Sequence, residues 1–349
     1  MCAIAGIIGR SEDGAYGPML ETMERRGPDQ EGLWVDPGAA LLHRRLSVVD
    51  LANGRQPMEL TWQGDTYILV YNGELYNTEE LKRELASLGH EFTSHSDTEV
   101  LLHAYVQWKA SCVEKLNGIF AFGVYEQRTG RLFLARDRIG VKPLFYTCQE
   151  EAFLFSSEIK TLLAYPGTQA VLTPEGVGEI LLLGPGRTPG CGVLKGIHEV
   201  RPGWSGYYEN GELSLTPYWR LTDRIHEDDL PTTLHTVREL VTDAIRRQLV
   251  SDVPIGCFLS GGLDSSILAA VAARSLKKRG QVLDTFSVTY RENERYFRAS
   301  RFQPNSDDEY IGLMTRALGS RHHRIELDTG ELADALYDAV DARDLPGMA

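Results

Sequence analysis

The chain has 349 residues, 42% hydrophobic and 24% charged, with a formal net charge of −13, enough length for two ordinary domains and the wrong balance for a phosphate-reading surface, so no nucleic-acid partner is expected. No apolar stretch approaches the roughly 20 residues that span a bilayer, and the short apolar run at the amino terminus lacks a preceding basic region, so neither membrane span nor signal peptide is expected. Five cysteines (2, 112, 148, 191 and 257) form no C-x-x-C pair, which suits reduced thiols in a cytoplasmic protein better than a disulfide framework or zinc site.

In chain order, "CAIAGIIG", "AALLHRRLSVVD", "DTYILVYNG", "GIFAFGVYEQRTGRLFLARD" and "AFLFSS" are β-branched or aromatic runs bounded by Gly, Asp or Asn, and read as strands. "YEQRTGRLFLAR" predicts a hairpin turning at "RTG". Helices are predicted near residues 17–27 and over 77–89, the second with Asn77 at its N-cap, Glu79 and Glu80 in its first turn and Gly89 at its end. Two strand-rich layers with helices outside them describe an α+β sandwich. From about residue 201 the texture changes: "RPGWSGYYENGELSLTPYW" reads as a last hairpin and "RLTDRIHEDDLPTT" as a polar connector. Beyond it, strands and helices alternate, the pattern of an α/β domain with a parallel sheet. The predicted division is therefore 2–205, a hairpin and linker over 206–232, and a second domain from 233 to 349.

"FLSGGLDSS" (258–266) follows a strand predicted to be buried and opens a helix, where free N–H groups and the helix dipole suit a phosphate. Gly261 and Gly262 permit close backbone approach, and Ser260, Ser265 and Ser266 offer hydroxyls. No lysine stands where the Walker pattern needs one; Asp264 sits there instead, a carboxylate suited to Mg²⁺ beside bound phosphates. An ordinary tight strand-to-helix turn is the alternative. "SGGLDSS" resembles the pyrophosphate-binding loop of the ATP pyrophosphatase families and, with "VPIGCFLS" before it, the asparagine synthetase family. That resemblance implies ATP as substrate, Mg²⁺ at Asp264, and Leu259 and Val288 lining the adenine and ribose pocket, where they otherwise read as core strand residues.

In the first half, Cys2 alone reads as an apolar strand residue, but removal of Met1 would leave it an α-amino group of pKa about 7.7–8.0, suited to proton shuttling. "YNGELYN" supplies Asn72 and Gly73 as an oxyanion hole and Glu74 beside them; "HRRLSVVD" supplies Arg45, a fork for a carboxylate; "SHSDTE" supplies Asp97, an acceptor for an α-ammonium. Together they describe a site for L-glutamine. Singly, "NG" is a turn, Arg45 a surface charge and Asp97 the N-cap of the next helix. Seven segments in order, from "MCAIAGIIG" through "RRGPDQEG", "HRRLSVVDL", "YNGELYN", "SHSDTE" and "LNGIFAFGVYE" to "ARDRIGVKPLFY", resemble class II glutamine amidotransferase domains, which are N-terminal-nucleophile hydrolases. The resemblance implies Cys2 as nucleophile, Asn72 and Gly73 as the oxyanion hole, and Arg45, Glu74 and Asp97 as glutamine ligands. The two resemblances together imply glutamine-dependent asparagine synthesis from L-aspartate and ATP through β-aspartyl-AMP. The second "SGEGxDE" loop and helical region of that family are not found before "DLPGMA", so a truncated second domain, glutaminase activity and no asparagine formation are expected. Another acyl-adenylating amidotransferase, a glutaminase-only remnant, a non-catalytic scaffold and a sugar-phosphate amidotransferase are the alternatives; a homodimer is left open.

Overall fold

A strand with no polar face belongs in a sheet covered on both sides, and β1 (Ala3–Gly9) is buried at every residue but the last. In the computed structural model, which describes residues 2–12, 14–184, 186–299, 301 and 306–346, one unit comprises residues 1–223 with 340–349 and a second comprises residues 224–339. In the first unit β1 is followed by α1 (Tyr16–Thr22), β2 (Gln30–Asp36), β3 (Ala39–Arg45), β4 (Met58–Trp62) and β5 (Asp65–Leu75). Then come α2 (Thr78–Ser87), α3 (Asp97–Trp108), α4 (Cys112–Lys115), β6 (Gly118–Glu126), β7 (Arg131–Arg136), β8 (Phe145–Cys148) and β9 (Ala152–Ser156). It closes with α5 (Ile159–Leu163), α6 (Pro174–Leu182), β10 (Ile197–Glu199), β11 (Trp204–Glu209) and β12 (Glu212–Pro217).

These strands make two antiparallel sheets, ordered β10-β8-β9-β1-β3-β2 and β12-β11-β7-β6-β5-β4. Alternation along each strand sorts its side chains between two cores. Ile4, Leu41, Ile68, Val70, Leu134 and Phe155 meet between the sheets. Ala5, Ile7 and Leu42 face outward onto Met19 and Leu20 of α1 and Ile159 and Leu162 of α5, while Leu69, Tyr71, Phe122 and Phe133 lie under Leu81 and Leu85 of α2 and Val100, Leu101 and Tyr105 of α3. This is the α+β sandwich of two sheets between helices expected from the sequence.

Two expectations change. The hairpin β11–β12 is no linker: β11 pairs with β7 from Ser205–Ala135 to Tyr208–Leu132, so it completes the second sheet and the first unit runs past 205 to residue 223. Asn77 occupies the N-cap position of α2 but makes no side-chain cap; its amide donates to Lys115 O and accepts from Asn117 N, both at 2.9 Å, pinning the approach to β6 instead.

The second unit contains α7 (Leu230–Arg247), capped by Asp229, then β13 (Gly256–Phe258), α8 (Leu263–Lys277), β14 (Asp284–Tyr290), α9 (Asn293–Tyr296), α10 (Asp307–Leu318) and β15 (Arg321–Leu327), with α11 (Thr329–Arg343) last in the chain. The strands form a parallel sheet in the order β13-β14-β15, the α/β arrangement predicted from alternation. Its core joins Leu259, Ala269, Ala272, Leu276, Leu283 and Ile311. The strand before the Gly-Gly loop was expected to be buried; β13 is an edge strand of three residues, and Phe258 is 80% exposed.

Candidate active site

Cys2 stands directly before β1, whose pairing with β3 and β9 fixes its backbone. Its Sγ lies 3.6 Å from Leu46 O, and Arg26 Nε donates to its carbonyl at 3.1 Å. Asn72, Gly73 and Glu74 lie near the end of β5, held in register against Ala121, Phe120 and Ile119 of β6. These residues, Arg45 and Asp97 line a single cavity with Cys2. All six glutamine-site residues expected from the sequence are thus brought together.

Within that cavity Asn72 is 1% exposed, and its Nδ2 is buried without a hydrogen-bond partner. An unmet buried donor costs about 1–3 kcal/mol, and such atoms concentrate where something other than stability is served. The neighbouring position requires glycine: a Cβ on Gly73 would sit 2.4 Å from both Ile119 O and Tyr71 Cε2. Asn72 and Gly73 together offer one side-chain and one backbone donor beside Cys2, the layout of an oxyanion hole.

Asp97 is not the cap of α3. Ser96 takes that place, its hydroxyl accepting from Thr98 N at 3.2 Å. Asp97 turns inward instead, accepting from Tyr71 OH at 2.9 Å and Leu75 N at 3.1 Å. Burial pushes both Asp97 and Glu74 above the usual carboxylate range, although Lys142 opposes the shift at Glu74. The Cys2 thiol is likewise pushed up by burial, with Arg45 and Lys142 pulling against it.

Arg45 lines the cavity, yet its fork is engaged. Nη1 donates to Gln30 Oε1 (3.0 Å) and Leu51 O (3.2 Å), and Nη2 to Val49 O (2.9 Å) and Asp50 O (2.7 Å). A buried guanidinium must find acceptors, and here it finds three in the loop after β3 and one in Gln30 of β2. These four bonds use the Nη1 and Nη2 donors and leave the fifth, Nε–H, outside the set. Lys142, Gln56 and Tyr71 also line the cavity and were missed from the sequence. Lys142 lay within "ARDRIGVKPLFY", where a lysine between Val141 and Pro143 in an apolar stretch was the available signal.

In the second unit, Gly261 has φ +76°, and a Cβ there would meet Asp307 O at 2.9 Å. Gly262 precedes α8, whose first turn contains Asp264. Ser260 and Ser265 hydroxyls lie 3.1 Å apart, Ser265 Oγ donates to Gly262 O at 3.2 Å, and Ser266 N completes the turn on Gly262 O at 3.1 Å. Val288 on β14 is 48% exposed, whereas Leu259 is 1% exposed and packs in the core. Leu259 N donates to Phe286 O at 2.7 Å, which holds the residue against the sheet at the start of the loop.

Residues 1–219 match the family model described as glutamine amidotransferase domain. The chain belongs to the glutamine amidotransferase family. Residues 236–349 match a second family model, asparagine synthase. Asparagine synthetase [glutamine-hydrolyzing] 3 of Bacillus subtilis (strain 168) is 48% identical over 355 residues, covering 100% of this chain and 58% of its own. Asparagine synthetase [glutamine-hydrolyzing] 2 of the same organism is 33% identical, covering 95% and 44% respectively. The chain spans about half the length of the curated relatives it matches. Among solved structures, the B. subtilis glutamine phosphoribosylpyrophosphate amidotransferase complexed with ADP and GMP matches at 16% identity and TM-score 0.47, over 93% of this chain and 81% of that one. Among the described residues no helix is long and apolar enough to cross a membrane, and no group of three or more His, Cys, Asp or Glu is arranged for a metal.

Proposed function

We propose that the first unit hydrolyses L-glutamine at Cys2 and that its ammonia serves asparagine synthesis from L-aspartate and ATP in the second. The observation that carries the reading is the unpartnered Asn72 Nδ2, buried in the cavity that Cys2 shares with Gly73. Removal of Met1 frees the Cys2 α-amino group, which takes the thiol proton. The sulfur then attacks the side-chain amide carbon, Asn72 and Gly73 receive the developing oxyanion, and the returned proton leaves with ammonia. Water cleaves the resulting thioester to glutamate. Glu74 and Asp97 receive the glutamine α-ammonium, and Arg45 receives its carboxylate.

In the second unit, Ser260, Gly261, Gly262, Ser265 and Ser266 hold the phosphates of ATP, and Val288 borders its nucleoside. ATP activates the aspartate carboxylate as β-aspartyl-AMP with release of pyrophosphate, and ammonia displaces AMP. The donor set fits Mg²⁺ carried in with the nucleotide: Asp264 offers a carboxylate in the first turn of α8, and Mg²⁺ is commonly held by one or two carboxylates plus substrate phosphates. There it would neutralise phosphate charge. Five free cysteines suit the cytoplasm, where thiols stay reduced.

The test is ammonia release from glutamine, together with labelling by a glutamine-like diazo ketone followed by peptide mass spectrometry. The expected adduct is on a Cys2 that has lost Met1. A folded chain that retains Met1, or remains unlabelled at Cys2, overturns the glutaminase reading. Binding of ATP and of inorganic pyrophosphate tests the loop, with Asp264→Asn removing the magnesium dependence of ATP binding.

A further inference from the structure

Lys142 is 4% exposed, and lysines are seldom buried so deeply without a partner or a task. It lines the cavity that holds Cys2 and Glu74. The backbone carrying it is fixed from two sides. The Asp137 carboxylate accepts the N–H groups of Phe120 (3.2 Å), Ile139 (3.2 Å), Val141 (3.0 Å) and Lys142 (3.0 Å). Arg136 donates to Lys142 O (2.6 Å), Gly140 O (3.0 Å) and Val200 O (2.6 Å). The origin of the side chain is therefore set by a tied turn.

We propose that Lys142 is a positioning residue of the glutaminase centre: its ammonium faces both the Glu74 carboxylate and Cys2, orienting the first and supporting negative charge on the sulfur of the second during attack. This rests on the glutaminase reading above. The other cation of the cavity, Arg45, is held by three carbonyls of the loop after β3 and by Gln30 of β2, whereas Lys142 enters the cavity from the tied turn. The charges facing this end are Arg45 and Lys142 at Cys2, Lys142 and Asp97 at Glu74, and Glu74, Arg26, Cys2 and Asp137 at Lys142. After loss of Met1 the α-amino group of Cys2 joins them. Burial draws the Lys142 ammonium below its ordinary range, and Glu74 acts to keep it charged.

The experiment is the pH dependence of Cys2 alkylation by iodoacetamide in the full chain, with kcat and KM for glutamine measured alongside. Lys142→Met should move the alkylation profile upward by about one pH unit and lower kcat about tenfold, with KM changed by less than about threefold. Lys142→Arg should restore most of the profile. Lys142→Gln should move it upward as Lys142→Met does, and serves as the readout if Lys142→Met does not fold. Superimposed profiles for parent and Lys142→Met, or a Lys142→Arg profile displaced as far as that of Lys142→Met, overturn the role of Lys142. Alkylation needs no glutamine, so a parent chain that releases no ammonia overturns the glutaminase reading separately.

Discussion

Asn72→Ala separates chemistry from stability. In the folded chain the Asn72 Nδ2 is buried and unmatched, a cost of about 1–3 kcal/mol that the substitution removes. Against this stands the lost contact area of a truncated side chain in a cavity that water can refill. The two terms are of similar size and opposite sign, so the change in folding stability is expected within about 1 kcal/mol, a Tm shift of roughly 2–4 °C. Catalysis has no such offset. Loss of one oxyanion donor costs about 10²–10³ in kcat, or about 2.7–4 kcal/mol of transition-state stabilisation, while the Gly73 N–H remains. Steady-state ammonia release over a range of glutamine concentrations gives kcat and KM, and circular dichroism gives Tm. A kcat within threefold of the parent, a loss confined to KM, or an activity loss that tracks a large fall in Tm would each refute the oxyanion assignment.

Gly73→Ala should lower kcat by at least about a hundredfold, because the new Cβ meets a backbone oxygen at 2.4 Å and must displace the strand that presents the donor; unchanged kinetics would remove Gly73 from the hole. Burial raises the Glu74 carboxyl, so KM for glutamine should climb on the acid side at pH values above the ordinary carboxylate range, and Glu74→Gln should give a high KM independent of pH there. His43 is fully buried, its Nε2–H donating to Tyr71 O at 3.2 Å, and desolvation holds its pKa at about 3. The unfolded chain binds a proton near pH 6.5 that the folded chain refuses, so His43 contributes stability present above that pH and lost as pH falls toward 3, by about 1.4 kcal/mol per unit. Urea midpoints between pH 7 and 4.5 should therefore fall less steeply for His43→Gln than for the parent.

That these six residues share one cavity was legible in the sequence because they sit within short motifs whose chemistry converges. Asn72, Gly73 and Glu74 are consecutive, and a thiol, a carboxylate fork and an ammonium acceptor have no common bland purpose. What individual side chains do there was not legible. Asp97 and Ser96 are adjacent, and either can cap a helix; the choice falls to Ser96 only because Tyr71 and Leu75, over twenty residues earlier, present donors to Asp97. Arg45 is committed to carbonyls four to six residues downstream through a loop geometry that no periodicity encodes. The hairpin at 204–217 was legible as a hairpin, but its place in the second sheet depends on long-range pairing with β7.

The unmatched polar atoms explain why so much core surrounds so small a site. Among the described residues the buried side-chain atoms without partners are Arg26 Nη2, Ser47 Oγ, Asn72 Nδ2 and Glu158 Oε2. All four trace back to Cys2. Asn72 shares its cavity, Arg26 bonds its carbonyl, Glu158 pairs with Arg26 at 3.5 Å, and Ser47 follows Leu46, whose carbonyl lies 3.6 Å from the sulfur. At about 1–3 kcal/mol each they cost about 4–12 kcal/mol, comparable to the whole net stability of a typical domain, about 5–15 kcal/mol. A single thin core leaves no margin for that. Two sheets covered on both faces supply three apolar layers within the first unit, and β1, whose buried residues contribute to two of them, is the strand that holds Cys2 in place. The unsatisfied atoms and the strand that makes them tolerable thus meet at the same residue, which is where a nucleophile gains most from neighbours fixed in advance of the substrate.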